Sequence, residues 1–166
     1  MTAITVANKD WSIIQDVKTA LAEATVGGAA VFQSVTATTS DTQAQQCQFL
    51  ASPIAVVRYV TTQEDDSPED VRGCRLMLEL VVAALVDSAG ADESSRLEEI
   101  LRLRNAAVNA VEADPPADAQ AWGDGDHFQK RIQWGRPQID VSVEQPWAVC
   151  RLPVEIGFVL DSGTNH

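Results

Sequence analysis

The first clear pattern along the chain is a helical one. Between residues 10 and 24, apolar side chains return every three or four positions, as they do on the buried face of an amphipathic helix. Asp10 or Ser12 can cap its first turn. The helix is expected to end at Val26-Gly27-Gly28, because glycine adopts the left-handed conformation that often terminates a helix. The apolar positions of the predicted stripe are Ile13, Ile14, Val17, Ala20, Leu21 and Ala24.

A second amphipathic helix is predicted after the middle of the chain. Ser94 and Ser95 supply a cap, acidic residues occupy the first turn, and Asp114-Pro115-Pro116 stops the helix after Ala113. A third, short helix is predicted at 41–50, after a polar turn at 36–41. The packing face of the second helix is predicted to contain Leu97, Ile100, Leu101, Arg104, Val108 and Val111.

Strand patterns fill most of the remaining sequence. Cys74 and the alternate positions after it are apolar, whereas Arg75 and Glu79 fall on the opposite face, which is the period of a half-buried strand. This run continues to residue 86. Residues 54–60 form a β-branched run that is typical of a buried strand. Further strands are predicted at 30–35, 128–134, 138–144 and 148–160.

Strands that follow one another without crossover helices favour antiparallel pairing. The sequence therefore predicts an α+β fold, with a mostly antiparallel sheet and two main helices packed on one face. A chain of this length is expected to form one domain over residues 1–166. The connections are expected to include an acidic loop at 61–72, a long loop at about 114–127 and a frayed tail at 161–166.

Composition limits the classes of partner. The 166 residues are 45% apolar, and 24 acidic residues against 12 Lys and Arg give a formal charge of −12 and a pI near 4.4. Free nucleic acid and anionic membranes are unexpected partners, since both bind clustered cations. The first ten residues do not have the pattern of a secretory leader. The most apolar run, 80–86, is far shorter than the roughly 20 residues of a membrane-spanning helix, so we expect a protein that does not bind membranes and that is intracellular or assembled inside the cell.

The cysteines bear on both the compartment and the core. Cys47, Cys74 and Cys150 are widely spaced and odd in number, which argues against a disulfide framework and favours a reducing compartment. Cys74 and Cys150 lie in apolar strand patterns, so we expect them to pack as small hydrophobic side chains. The sequence leaves the exposure of Cys47 open.

Residues that could carry chemistry do not form a convincing constellation. Asp124-Gly125-Asp126-His127 could present carboxylate oxygens to Ca²⁺, but no suitably spaced ligands follow, and a solvated turn explains the segment better. His127 and His166 are the only histidines, so a multi-histidine zinc site cannot form within one chain. Cys47 with His127 has no third, orienting group. No glycine-rich phosphate loop follows a predicted strand. We predict no catalytic residues, no metal site and no cofactor, and we do not expect an enzyme.

Two surface features allow different interpretations. The acidic residues of the 61–72 loop can form either a solvated tip or a contact surface. Trp122, Trp134 and Trp147 lie in or beside turns, where they can either pack on the edge of the sheet or anchor a subunit interface.

Several segments, taken in order, resemble one family of structural virion proteins. Together they cover most of the sequence and resemble the phage tail terminator proteins, also described as tail completion proteins, although the stretch 115–125 departs from that pattern. The segments are the opening helix 11–24, the strand Val31-Phe32-Gln33-Ser34-Val35, the Gln-rich segment leading to Ser52-Pro53-Ile54-Ala55-Val56-Val57, the acidic loop, the strand 74–86, the helix 95–113 and the closing run Ala148-Val149-Cys150-Arg151-Leu152-Pro153-Val154-Glu155-Ile156.

This resemblance implies a homohexameric ring that caps the tail tube, stops its polymerisation and offers a surface to the head or neck. The implied partners are the tail tube protein and neck or head-completion proteins. The implied location is the tail–neck junction of the virion, after assembly in the host cytoplasm. An acidic inner wall is consistent with DNA that passes through the lumen without specific binding. The candidate ring or lumen residues are Glu64, Asp65, Asp66, Glu69, Asp70, Trp122 and Trp134.

Other functions fit the same sequence. A head-to-tail neck adaptor or another tail ring protein shares the acidity and size of this chain. A different class is a cytosolic small-ligand binding module or enzyme, which requires polar groups that converge in a pocket. A third possibility is a cytosolic accessory dimer that associates through its tryptophan-bearing edge.

Overall fold

The computed structural model describes residues 8–39, 51–65, 71–86, 92–143 and 145–161. These residues contain two α-helices and eight strands. The helices are α1 (Lys9–Ala22) and α2 (Glu93–Ala113). The strands are β1 (Thr25–Val26), β2 (Ala29–Ala30), β3 (Ser34–Thr38), β4 (Ile54–Glu64), β5 (Val71–Leu85), β6 (Ile132–Trp134), β7 (Gln138–Asp140) and β8 (Trp147–Asp161).

Six of these strands form one sheet in the order β3-β4-β5-β8-β6, and β7 pairs with β8 on the same side as β6. The long strands β5 and β8 form its centre and pair antiparallel from Val71 and Asp161 to Leu85 and Trp147. Only β3 runs parallel to its neighbour, β4, among the pairings of the described strands. The predicted α+β fold with a mostly antiparallel sheet is confirmed.

Both helices pack on one face of the sheet, which we call the inner face. The alternate side chains of β5 that begin at Cys74 are buried there, as the period-two pattern predicts. From α1, Ile13, Val17 and Leu21 enter the same core. From α2, the core receives Ile100, Leu103, Ala107 and Val111. The buried strand side chains of this core are Ala55, Val57, Cys74, Leu76, Leu78, Leu80, Val82, Ala84, Ala148, Cys150, Leu152, Val154, Ile156 and Phe158.

The opposite face of the sheet, which we call the outer face, is apolar at one end only. Ile54 and Val56 of β4 pack with Val81 and Ala83 of β5, and each is at most 2% exposed. Trp147 and Val149 of β8 pack against this cluster. The second cluster explains why the sequence between residues 80 and 86 is apolar on both faces of its strand.

The ends of α1 differ from the prediction. Its N-cap is Asn8, whose side-chain oxygen accepts a hydrogen bond from the backbone N–H of Trp11, rather than Asp10 or Ser12. The helix ends at Ala22, and Gly27 and Gly28 form the two-residue turn of a hairpin between β1 and β2. Their φ values of 61° and 82° suit a hairpin turn that requires two left-handed residues, which explains why this glycine pair does not cap the helix.

The existence of α2 is confirmed, but its buried face agrees only in part with the predicted one. Its N-cap is Asp92, whose carboxylate accepts from the Ser95 N–H, and not a serine. Leu97, predicted to be buried, is 39% exposed, while Arg96 is 0% exposed. Ile100 and Val111 belong to both the predicted and the observed buried face, but in the first turn the sequence favoured leucine over arginine as the core residue. Of the other predicted positions, Leu101, Arg104 and Val108 are only half-buried.

The boundaries of several strands also differ from the predicted ones. β3 extends to Thr38, inside the segment that was predicted to be a turn, and β4 continues to Glu64 past an irregularity near Val60. Since β5 begins at Val71, the predicted loop at 61–72 is shorter than expected. The predicted helix at 41–50 lies outside the described residues, as do residues 162–166 of the predicted tail.

Candidate functional site

The outer face carries a cluster of ion pairs centred on one carboxylate. Glu79 Oε1 accepts hydrogen bonds from Arg58 Nε at 3.1 Å and from Arg151 Nη1 at 3.0 Å. Arg58 lies on β4, Glu79 on β5 and Arg151 on β8, so one carboxylate joins three strands. The Glu79 side chain is 16% exposed. The two guanidinium groups compensate the negative charge of this partly buried carboxylate.

A second group of ion pairs lies toward the end of the sheet where β4 ends and β5 begins. Arg75 contacts Glu155 at 3.5 Å and Asp65 at 3.6 Å. Arg72 pairs with Glu64. The sequence singled out Glu64 and Asp65 as acidic residues of a contact surface, and the structure places both in ion pairs within the chain. The other acids of that prediction, Asp66, Glu69 and Asp70, lie outside the described residues.

Trp122 packs on the outer face over a gap made by two glycines. A Cβ atom on Gly73 would lie 2.4 Å from Cδ2 of Trp122, and one on Gly157 would lie 2.8 Å from the carbonyl oxygen of Gln120. The indole N–H of Trp122 donates to the carbonyl oxygen of Cys74 at 2.9 Å. The missing side chains of neighbouring strands therefore make room for the loop that carries Trp122.

Backbone hydrogen bonds hold this loop in place. Trp122 and Gln129 exchange both of their backbone hydrogen bonds, and Gln120 N–H donates to Gly157 at 2.7 Å. Trp122 is 9% exposed, so its indole serves packing within the chain and is not presented as an exposed anchor. The sequence identified the tryptophan, but the pairing with Gly73 depends on a contact between distant parts of the chain.

The other tryptophans have different environments. Trp134 of β6 is half-buried, and its indole N–H donates to the Glu112 carboxylate at 2.8 Å, which joins the sheet edge to the end of α2. Trp147 packs against the apolar cluster of the outer face. Among the described residues, the most exposed aromatic side chains are Trp11 and Phe128, each 55% exposed, and the sequence did not indicate either as a contact residue.

Three cations lie beside β6 at the edge of the sheet. Lys130, Arg131 and Arg136, which we call the basic rim, are all exposed. No ion pair or side-chain hydrogen bond joins them to another residue of the described part of the chain. Their backbone is nevertheless fixed, because Gly157 N–H donates to the Arg131 carbonyl at 3.0 Å and Gly135 N–H donates to the Pro153 carbonyl at 2.8 Å.

Grooves open at several places on the surface of the described residues. One of about 550 Å³ lies between the start of α1 and strands β3 and β4, beside Trp11 and Tyr59. Near it, Thr62 donates to the Asp10 carboxylate at 2.7 Å. A groove of about 400 Å³ lies between the end of α1 and α2. A groove of about 290 Å³ lies on the outer face near Glu79 and extends to Gly135 of the β6 edge.

Cys74 and Cys150 are buried thiols. Both are 0% exposed. Burial raises the pKa of Cys74 to about 11, with a smaller contribution from the negative charge of Glu64. Burial also raises the pKa of Cys150. Both thiols therefore stay protonated near neutral pH, which confirms their prediction as core residues and makes them poor nucleophiles. Cys47 lies outside the described residues.

The segment Asp124-Gly125-Asp126-His127 forms an exposed turn that contains a short 3₁₀ helix. Within residues 8–39, 51–65, 71–86, 92–143 and 145–161, no three His, Cys, Asp or Glu side chains come together in a way that could hold a metal ion. Neither helix in the described part of the chain is long and apolar enough to cross a membrane.

Comparison with known proteins adds no family to these observations. No protein-family model matches the chain, and no curated protein matches its sequence. The contacts and charges of the described residues are therefore what supports a proposal about function.

Proposed function

We propose that this chain is a structural virion protein, a phage tail terminator whose copies form a ring that caps the tail tube and offers a surface to the head or neck. The observation that carries the proposal is the division of the sheet into two unlike faces. Both helices cover the inner face, whereas the outer face presents the Glu79 ion pairs, and the basic rim lies exposed beside β6 at the edge of the sheet. The outer face, which the helices do not cover, can therefore contact other chains.

A ring of identical subunits needs two different contact surfaces on each subunit. Every subunit meets one neighbour through the first surface and the other neighbour through the second, and the ring closes when the rotation between subunits divides a full turn. The sheet has β3 at one edge and β6 with β7 at the other. Two unlike edges on opposite sides of one sheet suit this head-to-tail arrangement.

The charge of the chain suits a channel through which DNA passes. The formal charge of −12 gives the chain a net field that repels phosphate. Arg72 and Arg75 are held in ion pairs with acids of the same chain, as are Arg58 and Arg151. Cations that are already paired bring little affinity for phosphate, so DNA can move past such a wall without specific binding.

The acidic end of the sheet is the part that we assign to the lumen or to a stacked tube ring. Glu64 and Asp65 are paired, yet their side chains remain 51% and 44% exposed. In this proposal, they act together with the acids Asp66, Glu69 and Asp70. Trp134 stays a candidate for a subunit contact because it is half-buried at the β6 edge, whereas the packing of Trp122 within the chain removes it from the candidates.

Virions assembled without this chain test the proposal. Tails that lack a terminator should have tubes of uncontrolled length, because nothing stops the addition of tube protein. Electron micrographs would give the distribution of tube lengths. Supplying the chain again from a plasmid should restore one length, and purified chain should appear as six-fold rings in negative stain when it is mixed with tail tube protein.

The alternatives give different images. Tails of normal length that do not join heads would indicate a neck adaptor. Normal virions in the absence of the chain would contradict any structural role in the tail. In that case the groove of about 550 Å³ beside Trp11 and Tyr59, which falls within the size range of ligand pockets, would become the first place to look for a bound small molecule.

A further inference from the structure

The basic rim is unusual because its charges have no acidic or side-chain partner within the part of the chain that the structure describes. Of the twelve Lys and Arg residues in the sequence, seven donate to an acid or to another side chain of the described residues, or to backbone carbonyls in the case of Arg96. Lys9 donates to the Val159 carbonyl. Lys18 of α1 and the three residues of the basic rim are the cations for which the described residues supply no such partner.

Three of these four cations thus lie within seven residues, beside one edge strand. No acidic residue lies between His127 and Gln138, so no sequence neighbour neutralises them. Exposed cations without an acid beside them can attract an opposite charge from outside the chain. The basic rim is therefore open to a negatively charged surface of another molecule.

A second copy of this chain is an acidic partner that is always present. The chain carries −12 in total, and the basic rim contributes +3, so the remainder of the chain carries −12 − 3 = −15. Duplex DNA is a weaker fit, because three phosphate contacts give a salt dependence of only about −2.7 in log–log slope. Charge complementarity therefore favours self-association.

The surroundings of the rim resemble the composition of protein interfaces. Arginine and aromatic residues are enriched there, and Phe128, which is 55% exposed, precedes Lys130 by two residues. The rim adjoins the groove of about 290 Å³ on the outer face, where Val60 and Met77 provide apolar surface. Cations on an edge strand also oppose pairing with another strand, so the contact uses side chains and does not extend the sheet.

We propose that the basic rim is a subunit contact and that its partner is the acidic surface of a second copy of this chain. The contact is head-to-tail, since a cationic surface of one copy meets an anionic surface of the next. This inference names one interface of the ring and rests on the proposed function. The rim should therefore control self-association, whatever happens at the ends of the tail tube.

Sedimentation velocity of the full chain over a concentration series, at low and at high salt, tests this contact. We expect association that weakens as salt rises, because screening shortens the range of charge attraction. Arg131→Glu should weaken the association constant about tenfold or more, since attraction becomes repulsion, whereas Arg131→Lys should retain most of it. Lys18→Glu is the matched control, because it reverses an unpaired cation on α1 and changes the net charge by the same amount.

The outcomes separate the contact from the proposed function. Equal effects of Arg131→Glu and Lys18→Glu, or no salt-dependent association of the unsubstituted chain, would overturn the contact. Salt-sensitive binding of duplex DNA that requires Arg131, without self-association, would assign the rim to nucleic acid instead and would also overturn it. Rim-dependent association together with normal virions in the absence of the chain would support the contact and contradict the tail terminator role.

Discussion

Arg96 Nη1 donates a hydrogen bond of 2.6 Å to the backbone carbonyl oxygen of Gln145. The same nitrogen donates to the Ser142 carbonyl at 3.1 Å. These bonds join the first turn of α2 to the segment between β7 and β8. Arg96 is 0% exposed, and its Nε and Nη2 have no hydrogen-bond partner among the described residues. The two hydrogen bonds to the carbonyls stabilise the folded state. Burial of the remaining guanidinium N–H groups without a partner destabilises it.

Replacement of Arg96 separates these two effects. We expect Arg96→Ala to lower the free energy of unfolding by about 3 kcal/mol, because it leaves two carbonyls without a donor and opens a cavity. Arg96→Lys should cost less, since an ammonium can still donate to both carbonyls and removes the unpaired guanidinium donors. Urea unfolding measures both. An alanine variant as stable as the unsubstituted protein would contradict the role of the two hydrogen bonds.

Gly73 gives the sharpest steric prediction. Its missing side chain is the space that the Trp122 indole fills, so Gly73→Ala should destabilise the protein by about 1–3 kcal/mol and displace the ring. Trp122→Ala should remove most of that steric cost. The two substitutions should therefore be strongly non-additive in urea unfolding. Additive effects would mean that the ring can move away from a Cβ atom without loss.

Cys74 predicts a loss of stability in alkaline solution. Its pKa is raised from 9.0 to about 11 on folding, chiefly by burial. Between these values the unfolded thiol has lost its proton while the folded thiol keeps it, so rising pH favours the unfolded state. The stability that the protonated Cys74 thiol contributes to the folded state is complete below pH 9.0 and is lost as the pH rises to about 11. Cys74→Ala should show a shallower decrease in unfolding free energy over this window, and identical slopes would contradict the assignment.

Local sequence patterns predicted the elements that depend on near neighbours. The alternation that begins at Cys74 predicted β5, and the stop at Asp114 predicted the end of α2. The same patterns failed where the outcome depended on a contact elsewhere. Arg96 replaces Leu97 on the buried face of α2 because carbonyls of a distant segment accept its hydrogen bonds. Gly27 and Gly28 could have served either a helix end or a hairpin, and local sequence does not decide between them.

The candidate surface was predictable in its charges but not in its pairings. The acidity around Glu64 is visible in the sequence, but its ion pair with Arg72 depends on how β4 and β5 align. The basic rim is a short run of cations that sequence reasoning passed over. Arg151 pairs with Glu79 of a neighbouring strand, whereas Arg131 has no such partner among the described residues. This difference depends on the register of the sheet, which the local sequence does not show.

The Glu79 cluster also constrains how this protein can change over evolution. One carboxylate serves Arg58 of β4 and Arg151 of β8, so loss of Glu79 alone would remove an ion-pair partner from both arginines at once. Either arginine, by contrast, can be lost while the other keeps its partner. In descendants of this sequence, Arg58 or Arg151 should therefore be substituted before Glu79 is. The order of these substitutions would show whether β4 or β8 lost its arginine first.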